Sequence, residues 1–316
     1  MKRESTDGKR DSARGNPQSA IPNPQSDAPN PIGAANITLV AGGAKARLLA
    51  EAGVVDAAID FDAMPFHEVF SDARRGPGRL AEMLGPCDRI VSCFVEADTP
   101  PARRLAEMCH ARELVSLPIR PPRGYPRHLT DLWRQRLGLV DPVAPAAWSI
   151  PPAWQADAAG AMRKLGLDPE KPRAVLHPGA GAPEKCWPIG HFEALADNLR
   201  SAGLDVLFVL GPVETDRWPA ERIAALQAAG VVLAGPPLGL LAGILAGAAL
   251  FVGNDSGPAH LAAAVGAPTV ALFGPTRPAG FAPLGPRVAC VTSDTLADIT
   301  VAQVATAAGE LVRWPR

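Results

Sequence analysis

A buried strand that turns within a few residues into a helix leaves few choices of fold. This chain does so at Ala249–Val252, Gly253-Asn254-Asp255-Ser256-Gly257 and Pro258–Val265. Proline suits the first helical turn, where its missing N–H is not needed, and Asp255 or Ser256 stands where a side chain caps the exposed donors. The same alternation fills the second half: strand Arg173–His177, helix Ile189–Ala202, strand Asp205–Leu210, helix near Asp216–Ala229, strand Val231–Ala234, helix Leu238–Ala246 and, after Val265, strand Thr269–Phe273. Parallel strands joined by short connections need right-handed crossovers, which predicts a doubly wound α/β sheet with helices on both faces. Ligands of such sheets bind beyond the carboxyl ends of the strands, so the loops after each strand are where a site is expected.

The first half alternates less regularly. Ile37-Thr38-Leu39-Val40 is an apolar run stopped at Gly42-Gly43, a helical stretch follows at Ala44–Ala52, and Val54–Phe61 and Arg89–Phe94 have the composition of buried strands. Helices are expected near Phe66–Arg74 and Pro101–Ala111, and Leu129–Leu139 is helical in pattern until Pro142–Pro152 ends it. Ahead of all this, residues 1–34 are polar and Pro-rich and repeat a short unit, Asn16-Pro17-Gln18-Ser19 and Asn23-Pro24-Gln25-Ser26, which predicts disorder. The expected division is a disordered segment 1–34, an incomplete Rossmann-like domain 35–145, a linker 146–172 and a second Rossmann-like domain 173–316.

Composition limits the partners. With 31 Lys and Arg against 32 Asp and Glu in 316 residues, no overall field favours nucleic acid. Five cysteines without a CxxC pair argue against both a metal cluster and a closed disulfide framework, which fits a reducing cytosol. No apolar run is long enough for a transmembrane segment, and Met1–Arg14 lacks the apolar centre of a secretory signal.

Three loops carry the candidate chemistry. At the start of the Pro258 helix, the amides of Gly257, Ala259 and His260 are expected to point into the ligand crevice, and the His260 side chain adds a donor, so a diphosphate would fit. Helix capping by Asp255 and Ser256 is the plainer alternative. The loop His177–Pro188 is Gly-rich, with Gly179 and Gly181 allowing close backbone approach and Lys185 supplying a point charge suited to phosphate. In Gly211-Pro212-Val213-Glu214, Glu214 ends a strand where Rossmann sheets place an acid on ribose hydroxyls, with helix capping again the alternative. Asp60-Phe61-Asp62 matches the DxD triplet by which some sugar transferases hold a metal, but it lies far in sequence from these loops and no metal is assigned.

Taken together, His177-Pro178-Gly179-Ala180-Gly181 through Lys185-Cys186-Trp187-Pro188, Gly211–Glu214 and above all Asn254–Thr276 resemble glycosyltransferase family 9, the ADP-heptose:lipopolysaccharide heptosyltransferase family. The resemblance implies two facing Rossmann-like domains in the GT-B arrangement and inverting, metal-independent transfer without a cofactor. It also implies an ADP-heptose-like donor, a glycan or glycolipid acceptor, and work in the cytoplasm, at most peripheral to the inner face of the membrane. It implies that Lys185 contacts donor phosphates, that Glu214 holds the ribose, and that Asp255, Ser256, Gly257 and His260 surround the diphosphate and sugar. Members of the family begin with a strand and a Gly-Asp loop whose Asp serves as general base. Here Ile37–Phe61 looks like the second βαβ unit, so the first domain reads as truncated. Asp56, Asp60, Asp62, Asp72 and Asp98 are available as base, and none is singled out.

Two other function classes compete with the transferase. A non-catalytic nucleotide-sugar-binding protein would keep the donor loops without the base. An NAD-dependent oxidoreductase would need GxGxxG after a first strand, whereas Gly179-Ala180-Gly181 runs into Ala182-Pro183-Glu184. Base recognition would fall to loops such as Gly235-Pro236-Pro237-Leu238, which do not specify the nucleotide.

Overall fold

A computed structural model describes residues 21–22, 36–71, 78–139, 144–274 and 276–312. In the first half, β1 (Ile21–Pro22) pairs antiparallel with β3 (Ala57–Asp60), and β2 (Thr38–Ala41) pairs parallel with the other edge of β3, with α1 (Ala44–Glu51) as the crossover. Ile21 and Pro22 were expected to be disordered and form a short edge strand instead; the rest of the segment 1–34 lies outside the described residues. Phe66–Phe70, expected to open an α-helix, is a 3-10 turn, and residues 72–77 are outside the described set.

The chain continues through α2 (Arg79–Leu84), β4 (Arg89–Ser92), α3 (Pro100–Met108), β5 (Glu113–Ser116) and α4 (Leu129–Arg136). Strands β4 and β5 pair in parallel as a separate two-stranded sheet. Helix α3 starts where its sequence dictates: Thr99 accepts the Ala102 N–H, and Pro100 and Pro101 occupy positions whose N–H groups have no helical partner. Leu105 and Ala102 from α3, Leu80 from α2 and Val69 form the small core of this half, with Val40, Ile59, Ile90 and Leu114 packed against it.

Residues 152–164, inside the stretch read as a linker, form a helix, α5 (Pro152–Lys164). The second half then supplies β6 (Arg173–His177), α6 (Ile189–Ser201), β7 (Asp205–Leu210), α7 (Pro212–Arg217), α8 (Ala220–Ala229) and β8 (Val231–Ala234). It continues with α9 (Leu238–Ala246), β9 (Leu250–Asn254), α10 (Gly257–Ala264), β10 (Thr269–Phe273), α11 (Pro278–Phe281), β11 (Val288–Thr292) and α12 (Val301–Leu311). The single helix expected near Asp216–Ala229 is two, because Pro219 cannot extend α7 and instead opens α8.

The six strands are all parallel in the order β11-β10-β9-β6-β7-β8, with His177 level with Gly253. β6, β9 and β10 are buried throughout, as expected of strands covered on both faces. One face packs on α6, α8 and α12, the other on α5, α9 and α10. Leu48 of α1 joins the second of these cores, so the first half is packed onto the second through α1 and α9. From β6 the sheet grows one way through β7 and β8 and the other way from β9, which opens a crevice beyond the carboxyl ends of β6 and β9.

Candidate functional site

Asn254, the last residue of β9, is wholly buried, and its amide ties together the two loops that flank the crevice. Its Oδ1 accepts the Trp187 N–H at 2.9 Å, and its Nδ2 donates to the carbonyls of Pro178 at 2.9 Å and Gly179 at 3.2 Å. The Trp187 ring is buried too, with Nε1 donating to Ile299 O at 2.8 Å. The Gly-rich loop after β6 is thereby fixed at both ends. Asn254 was read as part of a motif with no role of its own. The available signal was a polar amide ending an apolar strand, where burial demands partners.

Asp255 follows, its N–H donating to Leu272 O at 3.1 Å. Its carboxylate is mostly buried and gathers polar groups from three segments: Lys185 Nζ at 3.4 Å and Thr276 Oγ1 at 3.1 Å meet Oδ2, and His260 Nε2 lies 4.0 Å from Oδ1. Lys185 from one loop is therefore brought to Asp255 and His260 from another, and Thr276 is an addition. Burial lowers the His260 pKa; Asp255 opposes the shift, and His128 adds to it. His128 belongs to the first half and caps α4, with Nε2 3.1 Å from Ala282 O, so that half reaches the rim of the crevice.

The start of α10 differs from expectation in one respect. The N–H groups of Ala259 and His260 are directed at Ser256 O, at 3.1 and 3.4 Å, rather than into the crevice. Ala259 makes a 3-10-type bond and His260 the first regular helical bond to the N-cap carbonyl, which uses up those donors. Gly257 has open space where a side chain would stand. Ser256 occupies the N-cap position without capping, and its Oγ is buried with no hydrogen-bond partner among the described residues. An unpaired buried hydroxyl at a helix N-terminus is a group awaiting a partner.

Glu214 is 3% exposed, and its Oε2 accepts the Gly211 N–H at 2.7 Å across the first turn of α7, which is the capping alternative. The same carboxylate crowds the β6 loop, where a Cβ on Gly179 would lie 2.0 Å from Oε1. Gly181, in contrast, faces open space. His177, at the end of β6, is buried and its Nδ1–H donates to Val209 O at 2.8 Å; burial lowers its pKa. Of the first-half carboxylates, Asp56 accepts the Ile37 N–H and Asp60 caps the turn at Asp62, so Asp60-Phe61-Asp62 is a local turn motif. Asp98 sits at φ 62° with its carbonyl bound to Arg103, and Asp72 lies outside the described residues.

Residues 130–307 match the model of glycosyltransferase family 9 (heptosyltransferase). The chain belongs to that family. It is similar to lipopolysaccharide heptosyltransferase 3 of Escherichia coli, 41% identical over 108 residues that cover 32% of this chain and 31% of the relative. It is 33% identical to lipooligosaccharide heptosyltransferase 2 of Haemophilus influenzae over 48% of this chain and 45% of that one. The match thus spans less than half the length of these relatives. A glycosyl transferase family 9 structure from Veillonella parvula superposes with a TM-score of 0.72 at 22% identity, covering 87% of this chain and 88% of that one, and so has the same fold. ADP-heptose lps heptosyltransferase II of E. coli superposes with a TM-score of 0.63 at 22% identity over 88% and 89% of the two chains. The architecture is the GT-B arrangement of two Rossmann-like units. Among the described residues, no helix is long and apolar enough to cross a membrane.

Proposed function

We propose that this chain transfers a sugar, a heptose or a close relative, from a nucleoside diphosphate of the ADP-heptose kind to a lipopolysaccharide-type or other glycan acceptor, with inversion and without a metal. The observation that carries the reading is the meeting of Lys185, Asp255, Thr276 and His260 beside Ser256 Oγ, unpaired among the described residues, at the switch point of a six-stranded parallel sheet. An E. coli heptosyltransferase of the same fold, 19% identical with a TM-score of 0.63, has been solved with ADP.

In this reading Gly179, Gly181 and Gly257 let the diphosphate approach the backbone, while Lys185 turns from Asp255 to the phosphates. Ser256 Oγ donates to a phosphate oxygen, and His260 donates from a neutral ring. As the bond from the anomeric carbon to the phosphate oxygen breaks, charge grows on the diphosphate, and these prepositioned donors stabilise it. Asp255 is then released to accept sugar hydroxyls. Glu214 holds the ribose side of the pocket, chiefly through its packing on Gly179. Such a donor and acceptor put the work on the cytoplasmic side of a membrane, at its inner face.

A radiolabelled ADP-heptose transfer assay with lipopolysaccharide core acceptors tests this. Labelled acceptor is the expected result. Neither transfer nor donor hydrolysis, with ADP still bound in calorimetry, would overturn it.

A further inference from the structure

Cys87 and Cys109 lie outside the donor crevice and share an interaction that transfer does not use. Cys109 ends α3 and is 1% exposed, whereas Cys87, in the loop before β4, is exposed to solvent. Cys87 N–H donates to Cys109 O at 2.9 Å, Arg112 N–H donates to Asp88 O at 3.0 Å, and the β4–β5 ladder begins beyond them at Arg89 and Glu113. The two cysteines therefore sit on neighbouring, hydrogen-bonded backbone, and each thiol influences the titration of the other. Cys93 is at the far end of β4, and Cys186 and Cys290 are in the other domain.

We infer that Cys87 and Cys109 form a reversible disulfide by exchange with a small disulfide of the glutathione type. The exposed Cys87 thiolate attacks the small disulfide, forming a mixed disulfide and releasing one small thiol. The Cys109 thiolate then attacks the Cys87 sulfur, and the second small thiol departs. Two protein thiols are oxidised, one small disulfide is reduced to two thiols, and the protons balance. An odd number of cysteines argues against a closed framework and leaves room for one such pair.

Burial pushes the Cys109 thiol up to about 11 with help from its neighbour Cys87, and burial also raises Cys87. Both thiols are therefore mostly protonated at neutral pH. Exchange is slow there and accelerates as pH rises, the mark of a structural staple rather than a fast sensor. The bond has something to hold, because β4 and β5 form only a two-stranded sheet among the described residues, and such pairs are marginal alone. Closing residues 87–109 joins the end of α3 to the start of β4 and removes freedom from the unfolded chain.

The full chain would be incubated with oxidised glutathione at pH 7, 8 and 9, quenched with acid, alkylated and digested without reductant. The expected product is a peptide linking Cys87 to Cys109, forming faster at each higher pH, with Cys186 and Cys290 alkylated and the thermal midpoint raised. Cys93→Ser should keep the link, and Cys109→Ser should leave glutathione on Cys87. Persistent glutathione on Cys87 of the unmutated chain, or a Cys87–Cys93 link, overturns the inference. Because the unmutated chain decides, poor folding of a variant does not obscure the result.

Discussion

Lys185 and His260 meet one carboxylate, yet they should respond differently to its replacement by a diphosphate. A hydrogen bond to a charged group contributes about 1.5–3 kcal/mol when shielded, and Lys185 is one-third exposed, so the lower end applies. Lys185→Ala is expected to weaken ADP binding about tenfold in calorimetry. His260, held neutral by burial, donates a weaker bond at pH 7.5, and His260→Ala should cost less there. A bound anion favours the charged ring, so unmutated protein should gain affinity over His260→Ala as pH falls from 7.5 to 6. Unchanged affinity in both variants would count against the donor site itself. Asn254 is a test of scaffold rather than ligand. Asn254→Ala leaves the Trp187 N–H and two loop carbonyls without their buried partner, at a cost of about 3 kcal/mol in urea unfolding. Asn254→Asp should restore little of that loss, since a carboxylate lacks the donors the carbonyls require.

At the scale of elements, the contact of α5 with α9 is set by glycine. A Cβ on Gly243 would stand 2.2 Å from Trp154 O and one on Gly239 2.8 Å from the Trp154 ring, so the helices approach only because both positions lack side chains. Backbone cannot yield as a side-chain tip can, and Gly243→Ala is expected to destabilise the chain by about 1–3 kcal/mol. Gly257→Ala, which meets open space, should leave stability within about 0.5 kcal/mol while impairing ADP binding. The sheet of this half was readable in advance because strands covered on both faces are unbroken apolar runs: the bounds of Arg173–His177, Asp205–Leu210 and Thr269–Phe273 are those expected. Glu113–Ser116 escaped notice because a four-residue strand with a charged first residue carries no periodicity to detect. Helix α5 was obscured by the prolines before it, which signal a stop and equally well a start, since Pro152 occupies the first turn. Loop positions of Lys185 and Asp255 were legible as residue types; their meeting depended on the β6–β9 neighbourhood, which alternation alone does not order.

For the whole molecule, the two halves share structure: Leu48 of α1 lies in the core beneath α9, Trp148 N–H donates to Ala264 O at 2.8 Å, and His128 reaches Ala282. Acid stability should therefore be felt across the chain, and His177 is the group in the middle of the sheet best placed to set it. Its folded pKa lies below the ordinary 6.5, because burial penalises the charged ring more than Val209 O and Glu214 favour it. Above pH 6.5 the ring is neutral in both folded and unfolded chains and adds no pH dependence. Below 6.5 the unfolded chain takes up a proton that the folded chain refuses, so stability falls by up to about 1.4 kcal/mol per pH unit until the folded value is reached. His177→Gln can still donate to Val209 O but does not titrate, and it should be less stable than the unmutated chain at pH 8. The gap should narrow between pH 6.5 and 5 in urea unfolding. Parallel stability curves over that interval would show that His177 is not what couples the sheet to acid.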